Sequence, residues 1–372
     1  MRLLSGIVCL LLPVPIAAQP RLEPIGDRLL LSGSPLVLAL DGEGDNRLTY
    51  TVETSNTLVS ATILTGNRSL RMQVAGFGEM IFELFDSFAP RVTNRIVQLA
   101  DAGFYDGILF HRVVDDFVIQ AGDPTGSGSG GSSLGSFDDQ FHVDLQHNRT
   151  GLISMAKSFD DTNDSQFFIT EGPQRHLDFN HSIFGVLVEG ESVRDAISEV
   201  AVGSGGRPLT NVTIASARSF IDEENAVVLL KAEEGAAGAA EVTVIVRNAA
   251  GQEARETFRV SVSPDATDSP PFLADIPEVR TRVDTPVSYQ LVAIDVENPS
   301  SARFLDQRSL AANGLTVPVQ APADLQYSVD FNSGLLTVTP TRGITGRHQI
   351  SVATAVSVSA VDYQLVTVVI EP

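Results

Sequence analysis

The feature that most restricts the architecture of this chain is a repeat that recurs at two different distances. Leu22, Ile25, Pro35 and Leu40 have counterparts in Leu273, Ile276, Pro286 and Leu291, all 251 residues further on. Gly235, Gly238, Val242, Val244, Val260, Val262 and Pro264 have counterparts in Gly343, Gly346, Ile350, Val352, Val368, Ile370 and Pro372, all 108 residues on. The two offsets differ by 143 residues, close to the 151-residue length of the segment 68–218. One repeat whose first copy is split by an inserted unit produces such a pair of distances. Val-rich strands also match one another by chance. The shared G-x-x-G spacing and the common end point favour insertion. Apolar and polar residues alternate through both copies, with turns at SGSP, DGEGDN and NAAGQE, so the repeat reads as a β-sandwich.

The expected division is a discontinuous β-sandwich domain over 19–67 and 219–263, an inserted domain over 68–218, a linker over 264–271 (PDATDSPP), and a second, uninterrupted sandwich over 272–372 read as strands throughout. The insert has a different character. RMQVAGFGEMIFELF reads as two strands around Gly76 and Gly78. PRVTNRIVQLADAGF places Val92, Ile96, Leu99 and Ala100 near a helical period, with Pro90 suited to the first turn and Gly103 to a C-terminal cap. GLISMA, SQFFIT and SIFGVLV read as strands, and ESVRDAISEVA as a second helix.

Composition excludes several functions. The chain has 372 residues and a net charge of −21, opposite to what a phosphate backbone or an anionic membrane surface demands. The first 20 residues, MRLLSGIVCLLLPVPIAAQP, carry one early Arg, an apolar run and then small residues. This is a signal-peptide pattern, with residues 1–18 removed and cleavage after Ala18 expected. Cys9, the only cysteine, lies inside it, so the mature chain is expected to lack thiol chemistry. No other stretch is apolar enough to span a bilayer, and an exported protein is expected: periplasmic, cell-surface or secreted.

The chemistry-bearing stretch is FHRVVDDFVIQAGD, 110–123. It reads as two short strands joined by a turn at Asp115-Asp116, which brings Arg112 and Gln120 together. The pair belongs either to an ordinary exposed sheet face or to a binding groove. The Gly/Ser loop 126–131 lacks the Lys-Ser/Thr ending of a phosphate cradle and reads as a plain surface loop. The six histidines form no metal-ligand pair backed by other ligands. Asp138-Asp139 and Asp160-Asp161 read as a solvated acidic face. Ser154 lacks the context of a nucleophile elbow. What remains is polar Arg112 and Gln120 among Phe117, Val118, Phe168 and Leu177, apolar groups able to build a pocket.

At these residues the chain resembles the cyclophilin-type peptidyl-prolyl cis-trans isomerases. FHRVVDDFVIQAGD, GLISMAK, NDSQFFIT and HLDFNHSIFG occur in family order and spacing, and GFYDGILFHRV and RPLTNVTIASA also fit. The resemblance covers about 68–218. It implies a closed eight-stranded barrel with two capping helices, no cofactor or metal, and proline-containing polypeptides as substrates. It places Arg112 on the catalytic arginine, and Phe117, Val118, Gln120, Ala156, Lys157, Phe168, His176, Leu177 and His181 on peptide-binding positions. Phe110, His111, Met155 and Phe167 read as core, and His181 as either groove or support. The family often has Met at Val118 and Trp at His176, where the indole helps bind cyclosporin. The sandwiches resemble immunoglobulin- or cadherin-like domains. They leave open a partner at the cell surface and a rival reading, a non-catalytic proline-peptide-binding or adhesion protein.

Overall fold

The computed structural model describes residues 19–44, 47–298, 301–357 and 360–372. The expected signal peptide, with Cys9, lies outside them. The described chain is mainly β, and no helix in it is long and apolar enough to cross a membrane.

Strands from both sides of the central segment hydrogen-bond to one another. Leu36–Leu40 and Ser60–Leu64 flank Ala226–Lys231 in a three-stranded sheet, and Arg28–Ser32, Glu253–Pro264, Gly238–Arg247 and Thr49–Thr54 form a four-stranded one. Leu30, Leu38, Val228, Val242, Val244 and Val260 are buried between the two sheets. The second unit repeats this order. Val287–Gln290, Leu335–Pro340 and Leu325–Val329 form its three-stranded sheet; Val279–Arg282, Ala360–Glu371, Gly346–Ser357 and Arg303–Asp306 form its four-stranded one. The registers coincide residue for residue. Arg28 lies beside Val260 and Val279 beside Val368; Gly238 faces Val262 and Gly346 faces Ile370. A one-residue slip would turn every buried side chain outward, so a shared register means a shared core.

The strand-only expectation for 272–372 is corrected by a helix, Gln307–Ala312, between two strands. Its cap is Asp306, whose carboxylate accepts from Ser309 N at 2.8 Å. Six residues are too few for a helical period to show in the pattern.

Between Leu64 and Ala226 the chain builds an eight-stranded sheet, in the order Ile214–Phe220, Ser69–Val74, Gly78–Leu84, Ile183–Glu189, Leu152–Met155, Phe167–Thr170, Val118–Ala121, Arg112–Val114. The expected closed barrel is corrected in one respect. No ladder joins the first and last strands; an isolated bridge, Leu109 to Thr213, lies between the segments leading to them. The last strand is only three residues long, and the chain before it turns aside to bond Phe110 N to Val212 O. Helices Pro90–Asp101 and Glu191–Ser198 bury Val92, Ile96, Val193 and Ile197 in the same core. The first helix starts on Pro90 and ends in a Schellman motif: Gly103 N bonds Ala100 O, and Phe104 N bonds Leu99 O. The left-handed φ of 73° at Gly103 is what this cap needs.

The central unit packs on both of the others. Its Ile81, Phe85, Leu152, Ile183 and Val186 form one apolar cluster with Val37, Val227 and Leu229 of the first two-sheet unit. Its junction with the second is more polar: Arg91 pairs with Asp275 at 3.1 Å, and Phe141 and Phe179 pack on Phe272. The linker is anchored as well, since Arg175 holds Asp265 at 2.7 Å.

Candidate active site

Strand pleating decides what lies on each face of the sheet. Arg112 stands opposite Gln120, Gln120 opposite Phe168, and Phe168 opposite Ser154. Their neighbours Val113, Ile119, Ile169 and Ile153 point the other way, into the core. An arginine and a glutamine therefore sit in apolar strands without entering the core. The turn between the first two strands closes through Phe117 N to Val114 O at 3.1 Å. Asp116 there has a left-handed φ of 56°, which Asp tolerates better than most residues.

Arg112 Nη1 donates to Gln120 Oε1 at 3.2 Å, and its guanidinium carbon lies 5.5 Å from the Phe117 ring centre. Gln120 Nε2 donates to Gln166 Oε1 at 3.0 Å, and Gln166 Nε2 to Gly130 O at 2.8 Å. Beside this polar chain, Val118, Phe168 and Leu177 form a buried apolar cluster flanked by Phe117 and Ala156. His176 is exposed and stacks on Phe117, with ring centres 5.6 Å apart. Gln120, Ala156, Lys157 and Gln166 also border an adjoining depression of about 240 Å³, with the exposed Phe159 on its rim.

His181 belongs to the support. Its Nδ1 meets Met155 O at 2.9 Å, its ring packs edge-on against Phe168, and burial pushes its pKa down to about 4. Phe110, His111, Met155 and Phe167 are buried, as expected. Three supporting residues escaped the sequence reading. Gln166 continues the Arg112–Gln120 chain. His147, fully buried, stacks under Phe168 and bonds Ser154 Oγ at 3.1 Å. Asp178 accepts from the His147 backbone. Only the S-Q-F-F run could have pointed to Gln166; nothing local marks His147.

The loop over 126–131 lies mostly at the surface, as expected, but it has an internal anchor. It is built around a carboxylate: Asp123 accepts from the backbone of Thr125, Ser127, Gly128 and Gly130. Burial alone would raise the Asp123 pKa, but these N–H groups hold it far below the usual carboxylate range. One expectation is overturned: the acidic residues are not a solvated face. The Asp139 side chain is 3% exposed and paired with Lys157 Nζ, itself 3% exposed. Lys157 Nζ also reaches Asp160 Oδ1 at 2.7 Å, so its ammonium is taken up by two carboxylates. Asp139 N donates to Asp161 Oδ1 at 2.8 Å. Burial, followed by the charges of Asp160 and Asp139, pushes the Asp161 pKa up to about 8.

Residues 69–219 match the model of the cyclophilin type peptidyl-prolyl cis-trans isomerase family. Peptidyl-prolyl cis-trans isomerase ppi1 of Schizosaccharomyces pombe is 45% identical over 142 residues, which are 38% of this chain and 92% of that protein. Peptidyl-prolyl cis-trans isomerase-like 1 of Mus musculus is 40% identical over 142 residues, 38% of this chain and 86% of that one. A crystal structure of a Cryptosporidium parvum cyclophilin type isomerase, 31% identical, aligns over 42% of this chain and 99% of its own with a TM-score of 0.41. The chain belongs to the cyclophilin type peptidyl-prolyl cis-trans isomerase family. It is an enzyme that acts on proline-containing polypeptides.

Proposed function

We propose that Arg112 is the catalytic residue and that the Val118–Phe168–Leu177 cluster receives the proline ring. The observation that carries this is the pairing of a half-buried guanidinium, braced by Gln120, with a ring-sized apolar patch on the same face. The barrier to amide rotation is about 18–20 kcal/mol, because resonance gives the C–N bond double-bond character. A donor to the prolyl nitrogen favours its pyramidal form and weakens that resonance. The interaction is strongest in the twisted state, which is the condition for catalysis. Gln120 and the backbone at Ala156 and Lys157 orient the substrate carbonyl groups, and Phe117 and His176 border the proline. Arg112→Ala is expected to lower turnover of a proline-containing tetrapeptide by about a hundredfold or more, with an unchanged melting temperature. Near-normal turnover would refute the assignment.

The reading extends to the whole chain. The isomerase is an insertion in a discontinuous β-sandwich of immunoglobulin- or cadherin-like kind, followed by a second copy, and it assists the folding of exported proteins. The strand pairing across the central segment supports the insertion. The N-terminal pattern supports export, for which Gln19 should be the first residue of the protein recovered from its host. Recovery of chains that still begin at Met1 would argue against it.

A further inference from the structure

The groove wall at Ala156 and Lys157 connects to a residue of another domain. Lys157 buries its ammonium between Asp139 and Asp160. Asp160 uses its second oxygen, Oδ2, to accept from the backbone N–H of Tyr363 at 2.8 Å. Tyr363 lies in Ala360–Glu371, the last strand of the second two-sheet unit, 203 residues away in sequence. Asp160 therefore touches the groove wall with one oxygen and the C-terminal domain with the other. The two bodies also meet next to this bridge. Phe272 packs on Phe141 and Phe179, Gln140 Nε2 reaches Asp275 at 3.3 Å, and Asp362 is buried close to Asp160.

We infer that Asp160 is a positioning residue of the isomerase: it couples the Ala156–Lys157 wall, and the Phe159 rim of the adjoining depression, to the docked C-terminal domain. The inference rests on the groove reading above. Both Asp160 oxygens are engaged, one by Lys157 Nζ and the other by the Tyr363 N–H, so it acts through Lys157. The segment it steadies borders Gln120 and Gln166, and Arg112 is braced by Gln120 rather than by this segment. Loosening it alters how well a peptide is held and leaves the Arg112 step unaltered. A cost confined to substrate binding appears in KM with kcat preserved.

The test uses the full chain and a proline-containing tetrapeptide. Asp160→Ala removes both contacts and is expected to raise KM about three- to tenfold with kcat within about twofold. Asp160→Asn keeps an acceptor for one of them but sets its amide N–H against the donor of the other, so it should recover only part of the loss. An unchanged KM in Asp160→Ala, a loss in kcat alone, or equal impairment of the two variants overturns the inference. Amide hydrogen exchange on the wild-type chain decides independently of how Asp160→Ala folds. The Tyr363 N–H should be protected, and rapid exchange there overturns the bridge. Loss of turnover in Arg112→Ala with a normal KM in Asp160→Ala removes this coupling alone. Retained turnover in Arg112→Ala removes the groove reading and the coupling with it.

Discussion

In the first two-sheet unit Val37 pairs with Leu229 and Ala39 with Val227; at the same places in the second, Ser288 pairs with Thr337 and Gln290 with Leu335. The backbone ladders are equivalent and the side chains are not. Val227 is fully buried and Leu335 is 42% exposed. The outer face of the three-stranded sheet is open to solvent in the second unit and meets the isomerase in the first. Ala226–Lys231 is buried on both faces, whereas Leu335–Pro340 alternates. The difference teaches that the isomerase is not merely tethered by two connectors. The host sheet has an apolar outer face that completes a second core, and each Val or Leu fully buried there contributes about 1.5–3 kcal/mol. The junction with the C-terminal unit is of another kind, with ion pairs, buried carboxylates and a few aromatic contacts.

The most severe way to break this comparison is a charge on each sheet at the same register position. Val227→Asp buries an unpaired carboxylate and should cost about 3–5 kcal/mol in denaturant unfolding, while Leu335→Asp stays within about 0.5 kcal/mol. Equal costs would mean that the two outer faces do not differ as described.

A smaller effect separates the two junctions by pH. The Asp161 pKa stands at about 8 against an ordinary 3.8, so between those values the native chain binds more protons than the unfolded one. Stability present in acid is then lost as pH rises through about 8. The charges of Asp160, Asp139 and Asp138 face the group, and Asp362 lies near it. Asp161→Asn should flatten the fall in melting temperature between pH 4 and pH 8. Glu83, raised to about 7, and Asp41, raised to about 6, add slope of the same sign to both proteins. Coincident wild-type and variant profiles would show that the C-terminal junction is not the titrating one.

The smallest expected effect concerns the helix that, among the described residues, the second unit carries and the first does not. Asp306→Ala removes its cap and should cost about 1 kcal/mol. No change on thermal melting would show that the helix adds nothing to the stability of that unit.

These contrasts also mark how far the sequence could be read. The G-x-x-G spacing and the valines on alternate positions exposed the repeat because strand register acts on every second side chain. The face of the sheet carrying Arg112 and Gln120 was readable for the same reason. The continuous apolar run AVVLLK was the available sign that Ala226–Lys231 is covered on both sides, but a run of that kind does not say by what. The acidic residues misled because Asp139, Asp160 and Asp161 become buried only through Lys157 and a strand two hundred residues away. Nothing local distinguishes that fate from solvation. The double pairing of Lys157 with Asp139 and Asp160 was hidden likewise.

The meeting of Ser69 and Phe220 across one ladder has a consequence for the order of synthesis. The strands Arg28–Ser32 to Ser60–Leu64 emerge first, yet their partners begin only at Ala226. At about 5–20 residues per second, the growing chain holds those edges unpaired for roughly 8–30 s. During that wait the whole enzyme domain is made, and once it folds its two ends lie side by side. The waiting strands and the late ones are then separated by two short connectors. The folded isomerase thus holds the two halves of the first unit close together, which lowers the entropy cost of closing it.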